Sequence, residues 1–264
     1  MSLSFTGVTV RYDRTAVVSA ATATLTAGGM TALIGPNGAG KSSLLKAVAG
    51  LLPAQGEVLL EGRALAAAEK QGLIAYMPQD IGARSSLTLL EVVLLGRVRS
   101  LGLALPRDLI AGAEAALARF GLVGLQDRSL DAVSGGQRQL VYLAQAIFRA
   151  PRALLLDEPT AALDLRHQLV VLETVRAHAR AQGVPVLFAM HDLSLAAQFA
   201  DQVICLAEGV IDACGSAPEV MQAARLRRLY GVETEIARSE SGHLRVTPLR
   251  AINAGSQEKV ESGE

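Results

Sequence analysis

The stretch "MTALIGPNGAGKSSLLKAVAG" (residues 30–50) constrains the fold more than any other part of the chain. A short apolar run, Met30–Ile34, reads as a strand and leads directly into a loop that matches G-x-x-x-x-G-K-[ST] at 35–42. After the loop, Leu44, Leu45, Val48, Leu51 and Leu52 recur at helical spacing, and that pattern ends near Gly50 to Pro53. A strand, a glycine loop and a helix in that order make a phosphate cradle. Gly35, Pro36, Asn37, Gly38, Ala39 and Gly40 form the loop. Its glycines let backbone N–H groups curl around phosphate oxygens. Lys41 adds a point charge, the Ser42 hydroxyl can ligate Mg²⁺, and Ser43 follows in the helix's first turn. The helix directs its positive end at the same place.

Elsewhere strand and helix patterns alternate. Residues 2–26 alternate and are rich in Val and Thr, which predicts antiparallel strands; "EVLLEG" and "LIAYMPQ" read as further strands. From about 83 to 150 the pattern is helical throughout and suggests an inserted helical subdomain, with "LTLLEVVLLGR" and "AGAEAALARFGLV" among its helices. Strand character returns in "ALLLDEP" (153–159) and "VPVLFAMHD" (184–192). This alternation predicts a mostly parallel sheet covered on both faces. Half of the 264 residues are apolar and Trp is absent, so the core is Leu, Val, Ile and Ala. The main domain is expected over 1–220. A short helix at "AARLRRLYG" and a small hairpin at "VETEIARSESGHLRVTP" make up 221–250, either a regulatory appendage or a small packing element. The polar residues 251–264 are expected to be disordered.

Twenty-five basic residues balance 25 acidic ones, which argues against a broad nucleic-acid surface. There is no run of 18 apolar residues, and the N-terminus lacks the basic start and apolar core of a signal peptide. The chain is therefore expected in the cytoplasm, held at a membrane only by other proteins. Cys205 and Cys214 lie in a predicted hairpin turning at Glu208-Gly209, which would set Cys205 opposite Asp212 and Cys214 opposite Val203. Both are expected to be buried, reduced thiols.

Two acids end an apolar strand at Asp157 and Glu158. Ligands of α/β folds bind at the C-terminal ends of strands. In P-loop NTPases an acid at this position holds Mg²⁺, which makes Asp157 the metal-side acid. Glu158, pointing the other way on the strand, can polarise an attacking water. A second glycine motif, Ser134, Gly135, Gly136 and Gln137, opens a helix whose face is Leu140, Leu143, Ala144, Ile147 and Phe148 and which is expected to stop at Ala150, before Pro151. Ser134 suits an N-cap, but a cap does not account for two helix-weakening glycines.

A phosphate loop, then "SGGQRQ", then "LLLDEPTAALD" resembles the nucleotide-binding subunit of ABC transporters, over roughly residues 1–220. The resemblance implies an α/β, P-loop NTPase fold of the ABC-type ATPase kind. That fold has a mostly parallel core sheet, an antiparallel β subdomain and an inserted helical subdomain. It implies ATP and Mg²⁺ as ligands and a head-to-tail homodimer. In that dimer the 134–137 helix binds the γ-phosphate held by the second copy, so a two-fold axis completes both sites. Position by position, Tyr12 resembles the aromatic that stacks on adenine. Gln79 resembles the glutamine that senses γ-phosphate and Mg²⁺, and His191 the switch histidine at the γ-phosphate. Asp164 in "AALD" matches a dimer-contacting loop. His167, His178 and His243 fit no site and are read as surface residues. Val133 stands where the signature usually has Leu, and Ala161 where Ser is commoner, which puts one cross-subunit hydrogen bond in doubt.

The details "SLTLLEVVLLGR", "ALDLRHQ", "MHDLSLAAQFAD" and "YGVE" resemble importers of iron chelates (siderophores), haem and vitamin B12. The implied partners are integral membrane permease subunits and, indirectly, a substrate-binding protein, with no nucleic acid. The implied place is the cytoplasmic face of the cell membrane. Leu87–Leu95 is expected either where a membrane subunit docks or packed inside the helical subdomain; both can hold on different faces. A soluble ABC ATPase of an assembly system, such as one for iron–sulfur clusters, would carry the same motifs without a membrane partner.

Overall fold

The structure, a computed structural model, describes residues 1–79, 85–100 and 105–252, with the backbone alone for 98–100. Chain order begins β1 (Leu3–Tyr12), β2 (Thr15–Leu25), β3 (Met30–Ile34), α1 (Lys41–Val48), β4 (Gln55–Leu60), β5 (Arg63–Ala64), α2 (Ala67–Leu73) and β6 (Ile74–Met77). The helical segment holds α3 (Leu89–Leu94), α4 (Arg107–Arg119) and α5 (Gly135–Phe148), with 3₁₀ turns at Leu95–Ser100 and Leu130–Ala132. Then come β7 (Ala153–Asp157), α6 (Leu165–Gln182), β8 (Val186–Ala189), α7 (Leu193–Phe199), β9 (Gln202–Ala207) and β10 (Val210–Gly215). The last elements are α8 (Ala217–Val220), α9 (Ala223–Tyr230), β11 (Val232–Arg238) and β12 (Leu244–Ala251). Of the C-terminal stretch 251–264 expected to be disordered, Ala251 of β12 instead pairs with Val232 and Ile252 N donates to Gly231 O at 2.7 Å, while residues 253–264 lie outside the described residues.

Six strands form the core sheet in the order β10-β9-β3-β8-β7-β6, and all but β10 run parallel. A second sheet, β2-β1-β4-β5, is antiparallel. The central strands are buried on both faces, and their period of two divides their residues between two cores. Ala32, Ile34, Leu154, Leu156 and Phe188 face a core shared with the helical segment, α6 and α7. Leu33, Leu155, Leu187 and Ile204 face a core built with α1 and the antiparallel sheet. Each fully buried Leu or Phe contributes about 1.5–3 kcal/mol over its exposed state. The two cores grip the same strands from opposite sides, so the strand ends between them are held rigidly.

The structure corrects several sequence expectations. The hairpin turns at Glu208 (φ 48°) and Gly209 (φ 79°), but the pairing slips after Ile211. Asp212 is the bulged residue, so Cys205 pairs with Ala213 and Cys214 with Ile204. A bulge lets Asp212 aim at Arg225 and Arg228, which it holds at 3.0 and 2.7 Å. Cys205 is buried, Cys214 is exposed, and both are free thiols. Helix α5 ends at Phe148 rather than at Ala150; Ala150 takes a left-handed φ of 53°, which turns the chain before Pro151. The 83–150 region is not helical throughout, because residues 121–129 form turns, with Thr88 bridged to Ser129. His178 is half-buried, not a surface residue.

In the C-terminal part, β12 packs on α7. The Ser194 hydroxyl accepts from Val246 N at 3.0 Å and lies 3.2 Å from Val246 O. Leu244 and Val246 are buried there.

Candidate functional site

The loop after β3 is shaped by close approaches that exclude side chains. Gly35 (φ 152°) passes Leu206 so closely that a Cβ would lie 2.1 Å from its carbonyl oxygen. Gly40 (φ 100°) lies under Val17, whose carbonyl oxygen would be 2.5 Å from a Cβ. Gly40 is also the N-cap of α1, and no side chain caps that helix. The first-turn N–H groups, including those of Ser42 and Ser43, therefore have no intrahelical carbonyl and remain available to an anion. Lys41 is buried, and its Nζ donates to the carbonyl oxygens of Gly35 (2.7 Å) and Pro36 (3.1 Å). Burial lowers its pKa, and the neighbouring Glu158 and Asp157 carboxylates pull it back up. Asn37 and Gly38 are exposed at the loop tip, while Ala39 is buried and accepts from Gly209 N.

Asp157 ends β7 at 2% exposure. Its Oδ2 accepts the Tyr76 hydroxyl at 3.1 Å, and its Oδ1 is buried with no hydrogen-bond partner among the described residues. Glu158 does not continue the strand, as the alternation argument assumed. It sits at a left-handed φ of 51°, an unfavourable region for a non-glycine residue. Its N–H donates to Ala189 O at 3.2 Å, and its carbonyl accepts the buried Gln139 Nε2 at 3.0 Å. The carboxylate is occupied on both oxygens: Gln79 Nε2 donates to Oε2 at 2.6 Å, and His191 Nε2 contacts Oε1. Strained backbone held by flanking bonds is a common signature of a functional position.

The structure thus gathers Lys41, Gln79, Asp157, Glu158 and His191 at the C-terminal ends of β3, β6, β7 and β8. The motif at 134–137 stands apart from that cluster in its bonding. Ser134 caps α5 by accepting from Gln137 N (3.2 Å), and Gln137 Oε1 accepts from Ser134 N (3.0 Å). Ser134 and Gly135 are exposed, and Gly136 packs against the loop after the acids, where a Cβ would lie 3.1 Å from Leu163 and 3.2 Å from Ala162 O. Asp164 is an exposed N-cap of α6, accepting from His167 N and contacting His167 Nδ1, both at 2.8 Å. Those bonds hold its carboxyl below the usual range. Tyr12 ends β1, half exposed, beside the β1–β2 turn.

Two residues that bind this cluster together escape sequence reasoning. Gln139 lies among the apolar positions of α5 and reads as a polar residue in a helix, yet it is buried and fastens the helix to Glu158. Tyr76 reads as an ordinary strand residue, yet it bonds Asp157. In both cases the signal lies in the tertiary contact, not in the motif.

A protein-family model described as ABC transporter matches residues 18–161. A cobalamin import ATP-binding protein, BtuD, of Halobacterium salinarum (strain ATCC 29341 / DSM 671 / R1) is 36% identical over 94% of this chain, which spans 64% of that protein's length. A hemin import ATP-binding protein, HmuV, of Plesiomonas shigelloides is 34% identical over 91% of this chain and 99% of its own length. Among solved structures, a chain of an inward-facing ABC transporter ascribed to the metal-chelate type superposes with a TM-score of 0.80 at 27% identity, over 94% of this chain and 98% of that one. Taken with the phosphate loop and the paired acids, these likenesses establish that the chain belongs to the ABC transporter family and carries that family's ATP-binding ATPase domain.

Proposed function

We propose that this chain is the ATP-hydrolysing subunit of an importer for iron chelates, haem or cobalamin. It would work as a homodimer against membrane permease subunits, on the cytoplasmic face of the cell membrane. One observation carries the chemistry: Lys41, Asp157, Glu158, Gln79 and His191 converge on one set of strand ends beneath an uncapped helix. The names of the relatives, a cobalamin and a hemin import protein, favour transport over soluble assembly work. Among the described residues no helix is long and apolar enough to cross a membrane, so the membrane path would come from other chains.

The residues suit a nucleotide with Mg²⁺. Asp157 Oδ1 is a buried acceptor with no partner among the described residues, and the Ser42 hydroxyl lies in the first turn after the loop. These residues would hold Mg²⁺, which would supply neutralisation of phosphate charge. The chain's own groups do the rest. Lys41 leaves its two carbonyl partners for phosphate oxygens. Glu158, released from Gln79, accepts a hydrogen bond from the attacking water, and His191 steadies the charge at the γ-phosphate. Tyr12 is assigned to the adenine. Ser134, Gly135, Gly136 and Gln137 of the partner copy are assigned to the γ-phosphate, with Asp164 at the seam.

A cleft of about 800 Å³ between the core sheet and the helical segment is lined by Leu51, Met77, Leu95, Arg97 and Gln145, among others. It is the proposed seat of the permease. Leu89, Val92, Val93 and Leu94 of α3 bury inward, while Leu87 and Leu95, just outside its two ends, stay exposed and are assigned to docking. The test is a gentle-detergent pull-down of the tagged chain from its native cells. A polytopic membrane protein at about one per chain supports the importer reading, and the accompanying binding protein would identify the cargo. Soluble partners alone, with the chain absent from membranes, would overturn it.

A further inference from the structure

The sequence motifs assign no role to Tyr76, yet its hydroxyl makes a direct bond to the metal-side acid. Tyr76 lies on the edge strand β6, in register with Leu155 of β7, two residues before Asp157. Its ring packs against the core beneath the antiparallel sheet and forms part of the wall of the cleft between sheet and helices. The hydroxyl donates to Asp157 Oδ2 at 3.1 Å. We infer that Tyr76 is a positioning residue for the divalent cation: by pinning Oδ2, it fixes the carboxylate plane and leaves Oδ1 as the oxygen presented to the metal.

Two observations carry the inference. Asp157 is almost wholly buried, so bulk water competes little with the tyrosine as an orienting donor. Oδ1 is buried and without a hydrogen-bond partner among the described residues, as a carboxylate oxygen reserved for a cation would be. A group that orients a metal ligand without touching the metal typically tunes affinity about 10-fold or more. The cleft wall adds a consequence. A side chain seated against the Tyr76 ring would be felt at Asp157 through one hydrogen bond, a short route from a docked partner to the cation.

The inference rests on the ATPase reading, and its test separates the two. Mn²⁺ is titrated by electron paramagnetic resonance into the full chain bearing a non-hydrolysable ATP analogue, for wild type and Tyr76→Phe. Phe keeps the ring and removes the oxygen, so the thermal midpoint and the metal-free affinity for the analogue should match wild type. Mn²⁺ should bind the variant roughly 10-fold more weakly. In turnover, the half-saturating Mg²⁺ concentration should rise by a similar factor, while kcat at saturating Mg²⁺ recovers. Equal Mn²⁺ affinity in the two proteins overturns the role of Tyr76 and leaves the ATPase reading standing. Wild-type protein that binds the analogue but no Mn²⁺ overturns both.

Discussion

Replacing Glu158 by Gln tests the centre of the site, because the new side chain keeps shape and volume and changes only charge and donor pattern. In the wild-type chain one carboxylate oxygen takes the Gln79 amide at 2.6 Å and the other contacts His191 Nε2. A glutamine offers one acceptor and one NH₂. The Gln79 NH₂ cannot accept, so the new NH₂ must face His191, whose ring then carries its proton on Nδ1. The fold tolerates this exchange, since the Glu158 backbone bonds to Ala189 and Gln139 are untouched. The phosphate loop is untouched as well, so ATP binding persists. What is lost is the carboxylate's charge and basicity, and with them a group able to take a proton from the attacking water. Loss of a general base costs about 10²–10⁴ in rate, or roughly 2.7–5.4 kcal/mol of barrier. The assay is single-turnover hydrolysis of radiolabelled ATP beside equilibrium binding of the same nucleotide. Turnover within about tenfold of wild type would remove Glu158 from the base role. Abolished ATP binding would refute the claim that the loop and the acid act separately.

Other expectations follow from single contacts. Gly35→Ala places a Cβ 2.1 Å from Leu206 O and should lower the urea midpoint by a shift equivalent to about 3 kcal/mol; an unchanged midpoint would refute that close approach. Ser134→Arg should leave ATP binding by the monomer intact and abolish hydrolysis by the dimer. If monomer binding is lost too, the shared-site reading fails. His178 has its pKa lowered from 6.5 by burial and by Arg119, and its Nε2 is buried without a hydrogen-bond partner among the described residues. Below pH 6.5 the unfolded chain therefore takes up a proton that the folded chain resists, so stability declines as pH falls through that range. His178→Leu should flatten this slope in denaturant titrations between about pH 5 and 6.5, and an identical slope would exclude His178 as its source.

The phosphate loop was legible in the sequence because each part of it obeys a local rule. An apolar run must bury, glycines must occupy the crowded or left-handed positions, and apolar residues at helical spacing must form a packed face. The predicted strand at 30–34 coincides with β3, and the parallel core sheet follows from alternating strand and helix patterns. Local rules failed where a neighbour in space overrides them. The Cys205–Cys214 register slipped because Asp212 is drawn out to two arginines on α9. Helix α2, with no buried residue, offered no apolar face to detect.

Within the site the same division holds. Sequence alone determined which chemical groups are present and roughly where each lies on its strand or helix, because glycine, lysine and acid positions are set by chain spacing. Tertiary structure alone decided how those groups meet. It moved Glu158 off its strand into a left-handed turn, placed Gln79 and His191 on its two oxygens, and brought Tyr76 to Asp157. The physical reason is distance along the chain: Tyr76 and Asp157 are 81 residues apart, and their bond exists only because β6 and β7 lie side by side in one sheet.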